Sequence, residues 1–440
     1  LLAPFYQGAK PAGAHRIGTE VERFGVDRTT GAPLPYDGPN GVLAVFDALT
    51  HRYGWRPTAE KPGGPVIALS RGSASISLEP GAQLELSGSP VRTVHEVCDE
   101  LSEHLRELQA IDQRLGVAWL ASGFHPLARQ SELPWVPKER YRIMRDYFPS
   151  RGQSGIDMMR RTATVQVNLD YSDEADAMRK LRVALKLSPV ATAMFANAPF
   201  FEGQATGEYQ SRRAAVWLDV DPDRSGLLPE LMQPGRGFAD YVQWALDAPM
   251  FLFKRDDQLV ANTGQTFRSF WRHGFQGYQA TADDWDHHLN TLFPEVRLKG
   301  YLEVRGADSL PRDLVCAVPA LWTGLLYDDQ ALDQAEQICA PFGPDELQTL
   351  RPAVARHGLK ARCQGQPLQQ LAEQLLDTAL AGLARRDRRD ADGHDERRHL
   401  EPLVALVSAG QSPADRLLAD LPPDLQDAQL RGEIIRRAQL

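Results

Sequence analysis

The stretch SASISLEPGAQLELSG, residues 73–88, alternates apolar and polar residues on both sides of Pro80 and Gly81. Alternation around a pair of turn residues predicts a β-hairpin, in which every second side chain lies on the same face. The apolar face of this hairpin consists of Ile76, Leu78, Leu84 and Leu86. The other face carries acid, amide and hydroxyl groups, from Ser75, Ser77, Glu79, Gln83, Glu85 and Ser87. One face therefore belongs to a core, while the other gathers carboxylates without a lysine or arginine to neutralise them.

Three further segments show the same division into an apolar face and a face dense with functional groups. The segment IGTEVERFGV, residues 17–26, places Glu20 and Glu22 on one face. The segment TATVQVNLD, residues 162–170, has a polar face that consists of Gln166, Asn168 and Asp170. We interpret VRLKGYLEVRG, residues 296–306, as a single strand whose polar face consists of Arg297, Lys299, Tyr301, Glu303 and Arg305.

If these segments join one sheet, five carboxylates converge, namely Glu20, Glu22, Glu79, Glu85 and Glu303. Crowded carboxylates repel one another, and each is pushed towards protonation unless cations compensate. Oxygen ligands of this kind suit Mg²⁺ or Mn²⁺, and Mg²⁺ held by carboxylates usually serves nucleotide phosphates. Arg297, Lys299 and Arg305 are then candidates to hold phosphates or a substrate carboxylate. Any one of these glutamates, taken alone, is better interpreted as part of a solvated strand face. The five glutamates taken together favour a metal site.

Composition and charge limit the classes of protein to which the chain can belong. The chain has 440 residues, of which 42% are hydrophobic and 24% charged, so it can bury a sizeable core. The formal net charge of -9 argues against nucleic acid or an anionic membrane as the main partner. No transmembrane run of apolar residues is present, and the N-terminal residues lack the profile of a secretory signal. We therefore expect a cytoplasmic protein whose four cysteines lie in a reducing compartment.

The remaining patterns indicate an α+β protein. Hydrophobic periodicity and capping residues predict a strand over residues 117–124 and helices over 40–53, 91–116, 137–147 and 173–196. The region 199–236 is predicted to be a functional loop, and residues 312–440 to be helical. Within the latter, the charge-dense run 384–400 is interpreted as solvated. Because strands and helices do not alternate strictly, we predict an antiparallel sheet covered by helices. Neither a GxGxxG loop nor a Walker A loop is present, which excludes the common phosphate-binding loops.

Several longer motifs carry a family resemblance. They include IGTEVERFGV, SISLEPGAQLELSG, RYRIMRDYFP, GIDMMRRTATVQVNLDYSDEADAMRKLR, MFANAPF, DRSGLLP, LFPEVRLKGYLEVRGAD and VPALWTGLLYD. In this order they resemble the plant-type glutamate–cysteine ligases, a group that also occurs in bacteria, over residues 15–330 and more weakly beyond. The resemblance implies a glutamine-synthetase-like carboxylate–amine ligase fold, with a sheet of about six antiparallel strands. It implies a catalytic core over residues 1–330 and a helical part, 331–440, packed on the same domain.

The resemblance also implies an activity. Members join the γ-carboxylate of L-glutamate to the amine of L-cysteine through a γ-glutamyl phosphate, with ATP as co-substrate and Mg²⁺ as cofactor. This is the first step of glutathione biosynthesis. The partners expected are these small molecules, without nucleic acid or membrane, in a monomer or homodimer. Two alternatives stay open: the same fold with another amine as acceptor, and a non-catalytic glutamate or nucleotide sensor. A metal-dependent hydrolase is a third, and it predicts activity without ATP.

Individual roles follow from the matching motifs. The metal ligands implied are Glu20, Glu22, Glu79, Glu85 and Glu303, with Gln166 beside the metals. The substrate contacts implied are Arg213, Trp217 and Asn168. The catalytic and ATP contacts implied are Arg140, Arg305, Arg297 and Lys299. For Arg140 and Arg213, a structural ion pair is the alternative interpretation.

The cysteines match the family in part. Cys98 and Cys316 match the two partners of one disulfide of the plant members, and the resemblance implies that they pair. The second plant disulfide has no counterpart, since residues 274–284 contain no cysteine. Cys339 and Cys363 are expected to be free.

Overall fold

The computed structural model describes residues 1–256, 258–422 and 425–440. In chain order its strands are β1 (Ile17–Asp27), β2 (Arg56–Ala59), β3 (Val66–Arg71), β4 (Ala74–Leu78), β5 (Leu84–Ser87), β6 (Val117–Leu120), β7 (Thr164–Leu169), β8 (Phe200–Phe201), β9 (Gln204–Ala205), β10 (Ser225–Gly226), β11 (Leu252–Arg255), β12 (Gln258–Ala261), β13 (Phe293–Pro294), β14 (Val296–Leu298), β15 (Leu302–Asp308), β16 (Arg362–Cys363) and β17 (Gln366–Pro367). Nine of these strands form one sheet, and the others form four small two-stranded pairs.

The large sheet has the order β14-β15-β7-β1-β5-β4-β3-β2, and β6 pairs with the second half of β1. All of its neighbouring strands are antiparallel. The prediction of an antiparallel sheet is therefore confirmed, although the sheet is larger than the six strands that the resemblance implied.

The α-helices are α1 (Ala3–Gly8), α2 (Val42–Tyr53), α3 (Val94–Leu115), α4 (Glu139–Tyr147), α5 (Gly155–Arg161), α6 (Glu174–Met194), α7 (Arg212–Val216), α8 (Phe238–Asp247), α9 (Phe267–His273), α10 (Ala282–Leu289), α11 (Ala317–Leu326), α12 (Asp329–Cys339), α13 (Pro344–His357), α14 (Leu368–Arg386), α15 (Glu401–Ser408), α16 (Pro413–Leu418) and α17 (Asp427–Ala438). They confirm the predicted helices and the largely helical region beyond residue 312. None of the described helices is long and apolar enough to cross a membrane.

The helices cover the apolar face of the sheet. The helix α3 begins with a capping box, in which Thr93 and Glu96 each satisfy a backbone N–H of the other, and it ends at Gly116 in the left-handed region. The helix α11, which is buried along its whole length, packs against β7 and α14. One continuous core joins these helices to the inward side chains of the sheet, such as Leu84 and Val167. The polar face of the sheet is thereby left for the site.

The interpretation of residues 296–306 as one strand is wrong. The chain turns at residues 299–301, so that β14 and β15 form a hairpin in which Arg297 lies directly opposite Glu303. The turn packs against Gly8 of α1, where a side chain would meet the backbone of Gly300 and find no room. The alternation of polar residues continues through the turn and therefore concealed it.

The prediction that residues 384–400 are solvated is wrong at two positions. Glu396 is fully buried, and its carboxylate accepts hydrogen bonds from the Val94 backbone N–H at 2.7 Å and from Arg386 at 3.3 Å. His399 contacts Cys98. A carboxylate at the first residue of α3 is stabilised by the unpaired N–H groups and the dipole of that helix.

Candidate active site

Four glutamates gather on the polar face of β1 and of the β4–β5 hairpin. Glu20 and Glu22 are two residues apart on β1, and Glu22 lies directly opposite Glu85 of β5. Side chains opposite each other in antiparallel strands have Cβ atoms about 5 Å apart. Glu79 follows β4 at the turn, and its carboxylate lies 3.5 Å from the Tyr141 hydroxyl. The sequence therefore placed these four carboxylates correctly.

The four glutamates are held by neutral hydrogen-bond donors. Ser77 and Ser87 donate to the Glu85 carboxylate at 3.3 and 3.0 Å. The Thr164 backbone N–H donates to Glu22 at 3.0 Å. Asn168, predicted to contact substrate, donates to Glu20 at 3.1 Å. Among the described residues, no ion pair within 4.0 Å involves any of these four carboxylates.

The pKa values of three of these four glutamates are raised. Burial, together with the charges of Glu79 and Glu20, raises the pKa of Glu85 to about 8. Burial and the neighbouring Glu79 and Glu85 raise the pKa of Glu22 well above its ordinary value. Burial and Glu303 also raise the pKa of Glu20. Like charges that share a site without compensation produce these shifts.

Glu303 lies in the opposite environment. Its carboxylate is fully buried and binds Arg297 at 2.7 Å, Lys299 at 3.0 Å and also Arg305. Burial alone would raise the pKa of Glu303, but these three cations hold it well below its usual range. Both of its oxygens are thus engaged by side chains of the chain itself. Its role as a metal ligand, and those of Arg297 and Lys299 as ATP contacts, stay predictions.

The register between β15 and β7 shifts between Val304 and Ala307, which marks a β-bulge. Arg305 keeps the face of β15 that the alternation predicts and contacts Glu303. Its guanidinium donates to Gln166 at 2.7 Å, and Gln166 pairs across the strands with Glu20. Gln166 therefore lies beside the four glutamates, as predicted.

The polar face borders a cavity of about 400 Å³. Its walls include the four glutamates with Gln166, Arg140, Arg297 and Arg305. Arg140 lies over the Tyr141 ring at 5.8 Å, and within the described part of the chain it makes no ion pair or hydrogen bond. Apolar residues from β11, β12 and their surroundings complete the walls, namely Phe251, Leu252, Leu259 and Phe293.

A narrower cavity of about 80 Å³ continues past Arg140 and Arg305 to Arg213 and Trp217. Arg213 is buried, donates to the backbone carbonyl of Arg305 at 2.7 Å, and lies 6.0 Å from the centre of the Trp217 ring. Both residues belong to the region 199–236, which was predicted to be a functional loop. The structure thus brings Arg213 and Trp217 to the same cleft as the carboxylates.

Sequence reasoning missed several residues of this cleft. Lys138 donates to the Leu78 carbonyl at 2.7 Å, and burial lowers its pKa beside Glu79. Tyr141 donates to the same carbonyl at 2.8 Å. On the far side, Arg351 of α13 pairs with Glu295 at 2.7 Å next to Arg213. The motif that contains Arg140 could have pointed to Lys138 and Tyr141, whereas no local signal marks Arg351.

The predicted disulfide is confirmed. Cys98 and Cys316 are bonded with Cα atoms 5.9 Å apart, and they join α3 to the start of α11. Cys339 and Cys363 are free and buried, as expected.

A helix-backed antiparallel sheet, with carboxylates and arginines on its open face, defines a carboxylate–amine ligase of the glutamine-synthetase-like type. The fold is similar to that of the glutamate–cysteine ligase from Francisella tularensis, solved in complex with AMP (TM-score 0.58, 13% identity, 96% of this chain and 88% of that chain). It is also similar to a bifunctional glutathione synthetase from Pasteurella multocida (TM-score 0.51, 11% identity, 96% of this chain and 52% of that chain).

The sequence comparisons identify the family. The model of glutamate–cysteine ligase family 2 matches residues 16–439. The chain is 43% identical over 421 residues to the chloroplastic glutamate–cysteine ligase of Arabidopsis thaliana, covering 95% of this chain and 78% of the relative. It is also 43% identical over 421 residues to the chloroplastic glutamate–cysteine ligase B of Oryza sativa subsp. japonica, covering 95% of this chain and 82% of the relative. The chain therefore belongs to glutamate–cysteine ligase family 2. These relatives are named as chloroplastic, and the cytoplasmic location stays a prediction.

The donor set fits the Mg²⁺ that this family implies. Carboxylate and amide oxygens are the ligands that Mg²⁺ prefers, and the cluster carries uncompensated negative charge. Within the described residues, no three of these carboxylates place an oxygen within 4.8 Å of one another. The residues present suit the ion through the chemistry of their oxygen atoms.

Proposed function

We propose that the protein ligates the γ-carboxylate of L-glutamate to the amine of L-cysteine with ATP, as the first step of glutathione biosynthesis. In the first half-reaction a γ-carboxylate oxygen forms a bond to the γ-phosphorus of ATP, and ADP leaves. In the second, the amine of cysteine forms the C–N bond, the acyl C–O bond breaks, and phosphate leaves with loss of a proton from nitrogen. Neither step needs a nucleophile from the protein, so catalysis depends on positioning and electrostatics.

Mg²⁺ would be held by Glu20, Glu22, Glu79 and Glu85, with Gln166 beside it. When bound, it would offset the charge of the ATP phosphates as they approach the glutamate carboxylate. The carboxylates would otherwise repel those phosphates across a site that is largely shielded from water. The four carboxylates and the Gln166 amide line one cavity, which supports this assignment.

The arginines would bind different substrate groups at different places along the cleft. Arg140 and Arg305 border both cavities, at the place where the phosphoryl group would pass from ATP to glutamate. Arg213 would bind the α-carboxylate of glutamate through two parallel N–H donors, with Trp217 as the wall of that pocket. The apolar side of the larger cavity, Phe251 and Leu259, would face the adenine ring of ATP.

The helical part beyond residue 330 contributes to this cleft. Arg351 of α13 lines the cavity next to Arg213 and Trp217. This placement supports the proposal that residues 331–440 pack on the same domain as the catalytic core, rather than forming an independent unit.

The observation that carries the proposal is the set of four glutamates that face the cavity and form no ion pair with any residue in the described part of the chain. Product analysis tests it most simply. The protein with glutamate, cysteine, Mg²⁺ and ATP should form γ-glutamylcysteine, ADP and phosphate in equal amounts, and no dipeptide without ATP. If another amine is ligated to glutamate with a higher kcat/KM than cysteine, that amine is the acceptor instead. Absence of ADP formation would indicate a sensor, and hydrolysis without ATP would indicate a hydrolase.

A further inference from the structure

A second cluster of metal-ligating side chains lies away from the cleft, at the disulfide. His399 ends the short helical turn Glu396–His399, and its Nδ1 lies 3.4 Å from the Sγ of Cys98. One atom each of Cys98, Cys316 and His399 lie within 4.8 Å of one another. Cys98 is buried, while Cys316 and His399 are partly exposed, so a small ion from solvent can reach them.

Hydrogen bonds decide which nitrogen of His399 carries the proton. The Nε2 of His95 contacts the backbone carbonyl of Arg388 at 3.3 Å, and a carbonyl can accept but not donate. His95 therefore carries its proton on Nε2 and accepts at Nδ1. That Nδ1 lies 2.9 Å from the Nε2 of His399, which must be the donor. The lone pair of His399 Nδ1 is left facing the sulfur, as in a metal-ligating histidine oriented by a second hydrogen bond.

The cluster does not depend on the disulfide for its assembly. Glu396 anchors the turn that carries His399 to the first residue of α3, through the bond to the Val94 N–H. Cys98 lies on the same helix, one turn further along. Cys316 occupies the N-cap position of α11, where the helix dipole favours a thiolate.

We propose that the reduced protein binds a Zn²⁺ ion through the sulfurs of Cys98 and Cys316 and the Nδ1 of His399. A dithiol gives the disulfide two electrons and two protons and becomes a disulfide itself. A phosphine gives two electrons and becomes the phosphine oxide, while water supplies the oxygen and the two protons. Either reaction leaves two thiols. The ion then replaces the two thiol protons. Two thiolates and one imidazole select Zn²⁺ over the Mg²⁺ suited to the carboxylate cleft, and the fourth position is left to water.

Cobalt binding to the full chain tests the proposal, because a thiolate bound to Co²⁺ gives a charge-transfer absorption that carboxylates do not. The protein is reduced with a phosphine, freed of reductant without oxygen, and kept in excess Mg²⁺ to fill the carboxylate cleft. We expect one equivalent of Co²⁺ to give the thiolate band, and Zn²⁺ to displace it. The oxidised protein should give no band. A reduced protein without the band, or an oxidised protein with it, overturns the proposal.

Variants separate this site from other thiols. The double variant Cys98→Ser, Cys316→Ser should not show the band. If the band persists in this variant, it arises from Cys339 or Cys363, and the proposal is contradicted.

The histidine variants test the third ligand. His399→Ala should weaken Co²⁺ binding at least tenfold. His95→Phe should weaken it about 10- to 100-fold through loss of the orienting bond. His51→Ala, at an exposed histidine of α2, is the control. Equal affinity in His399→Ala and His51→Ala would remove His399 from the site. If a variant fails to fold, the comparison of Co²⁺ binding by the reduced and the oxidised wild-type protein still tests the proposal.

Discussion

The glutamates on the polar face of one sheet differ in what surrounds them. Glu303 on β15 is enclosed by three cations of its own chain, and its pKa is held far below the usual range. Glu85 on β5 has neutral hydrogen-bond donors, and its pKa is raised to about 8. The first carboxylate is already paired with cations of the chain, whereas the second has no such ion pair among the described residues. The difference teaches that the partners of a carboxylate, rather than its place on a polar face, decide its role.

The largest expected effect is on stability, at Glu303. Replacing it with glutamine leaves the buried Arg297 and its neighbours without an anion, and breaking a buried ion pair in this way costs about 3–5 kcal/mol. We expect chemical denaturation of Glu303→Gln to show this loss with or without Mg²⁺. Glu230→Gln, which removes an exposed pair with Arg236, is the control and should cost less than about 1 kcal/mol. Equal stability of the two variants would show that the cations around Glu303 are not its compensation.

The next effect is on turnover, at Glu85. Glu85→Gln should lower kcat about 10²–10³-fold, the range typical for loss of one electrostatic contact to the reacting groups. Without Mg²⁺ its melting temperature should not fall, because one of the repelling charges is gone. Glu60→Gln is the matched control, since Glu60 lines the same cavity from an exposed position. Steady-state kinetics that give the same kcat for both variants would contradict the metal-ligand assignment.

A smaller effect is expected at Arg213. Lysine cannot reproduce two parallel donors to a carboxylate, so Arg213→Lys should raise the KM for glutamate about tenfold or more and leave the KM for ATP nearly unchanged. Initial rates measured against each substrate in turn check this. A parallel rise in both constants would indicate a folding defect, and an unchanged KM for glutamate would place Arg213 outside the pocket.

The smallest effect is on the pH dependence of stability. The pKa of Glu85 is raised in the folded protein from its ordinary 4.5 to about 8, so the folded state binds more protons than the unfolded state between these values. By linkage, stability without Mg²⁺ falls as pH rises through this window, and Glu85→Gln removes that contribution. We expect the wild type to lose more stability than the variant from pH 5 to pH 8. Mg²⁺ should reduce this difference. A difference of the opposite sign would show that Glu85 is already compensated.

The sequence predicted much of the sheet because strand alternation is a local property. The two faces of the hairpin at residues 73–88, and the glutamate pair on β1, follow directly from the period of two. Their convergence needed the assumption of a common sheet, which the pairing of Glu22 with Glu85 confirms. The family motifs supplied the pairing of Cys98 with Cys316, which periodicity alone left open.

The errors of sequence reasoning come from partners that are distant in the chain. The turn at Gly300 packs against Gly8, almost 300 residues earlier, and no pattern near residue 300 reveals this contact. The burial of Glu396 depends on the N–H of Val94, which no pattern near residue 396 reveals. The β-bulge between Val304 and Ala307 likewise arises from the pairing of β15 with β7. Such features are fixed by tertiary contacts, so the cationic enclosure of Glu303 could not be predicted from its own strand.

The central claim is that Glu20, Glu22, Glu79 and Glu85 hold the divalent cations that serve ATP. The most direct test is anomalous scattering from crystals grown with Mn²⁺ and a non-hydrolysable ATP analogue. The account predicts Mn²⁺ peaks about 2.0–2.3 Å from carboxylate oxygens of at least two of these four glutamates, with the phosphates of the analogue on the other side of the metal. Mn²⁺ bound elsewhere, with the four carboxylates free of metal, would contradict it.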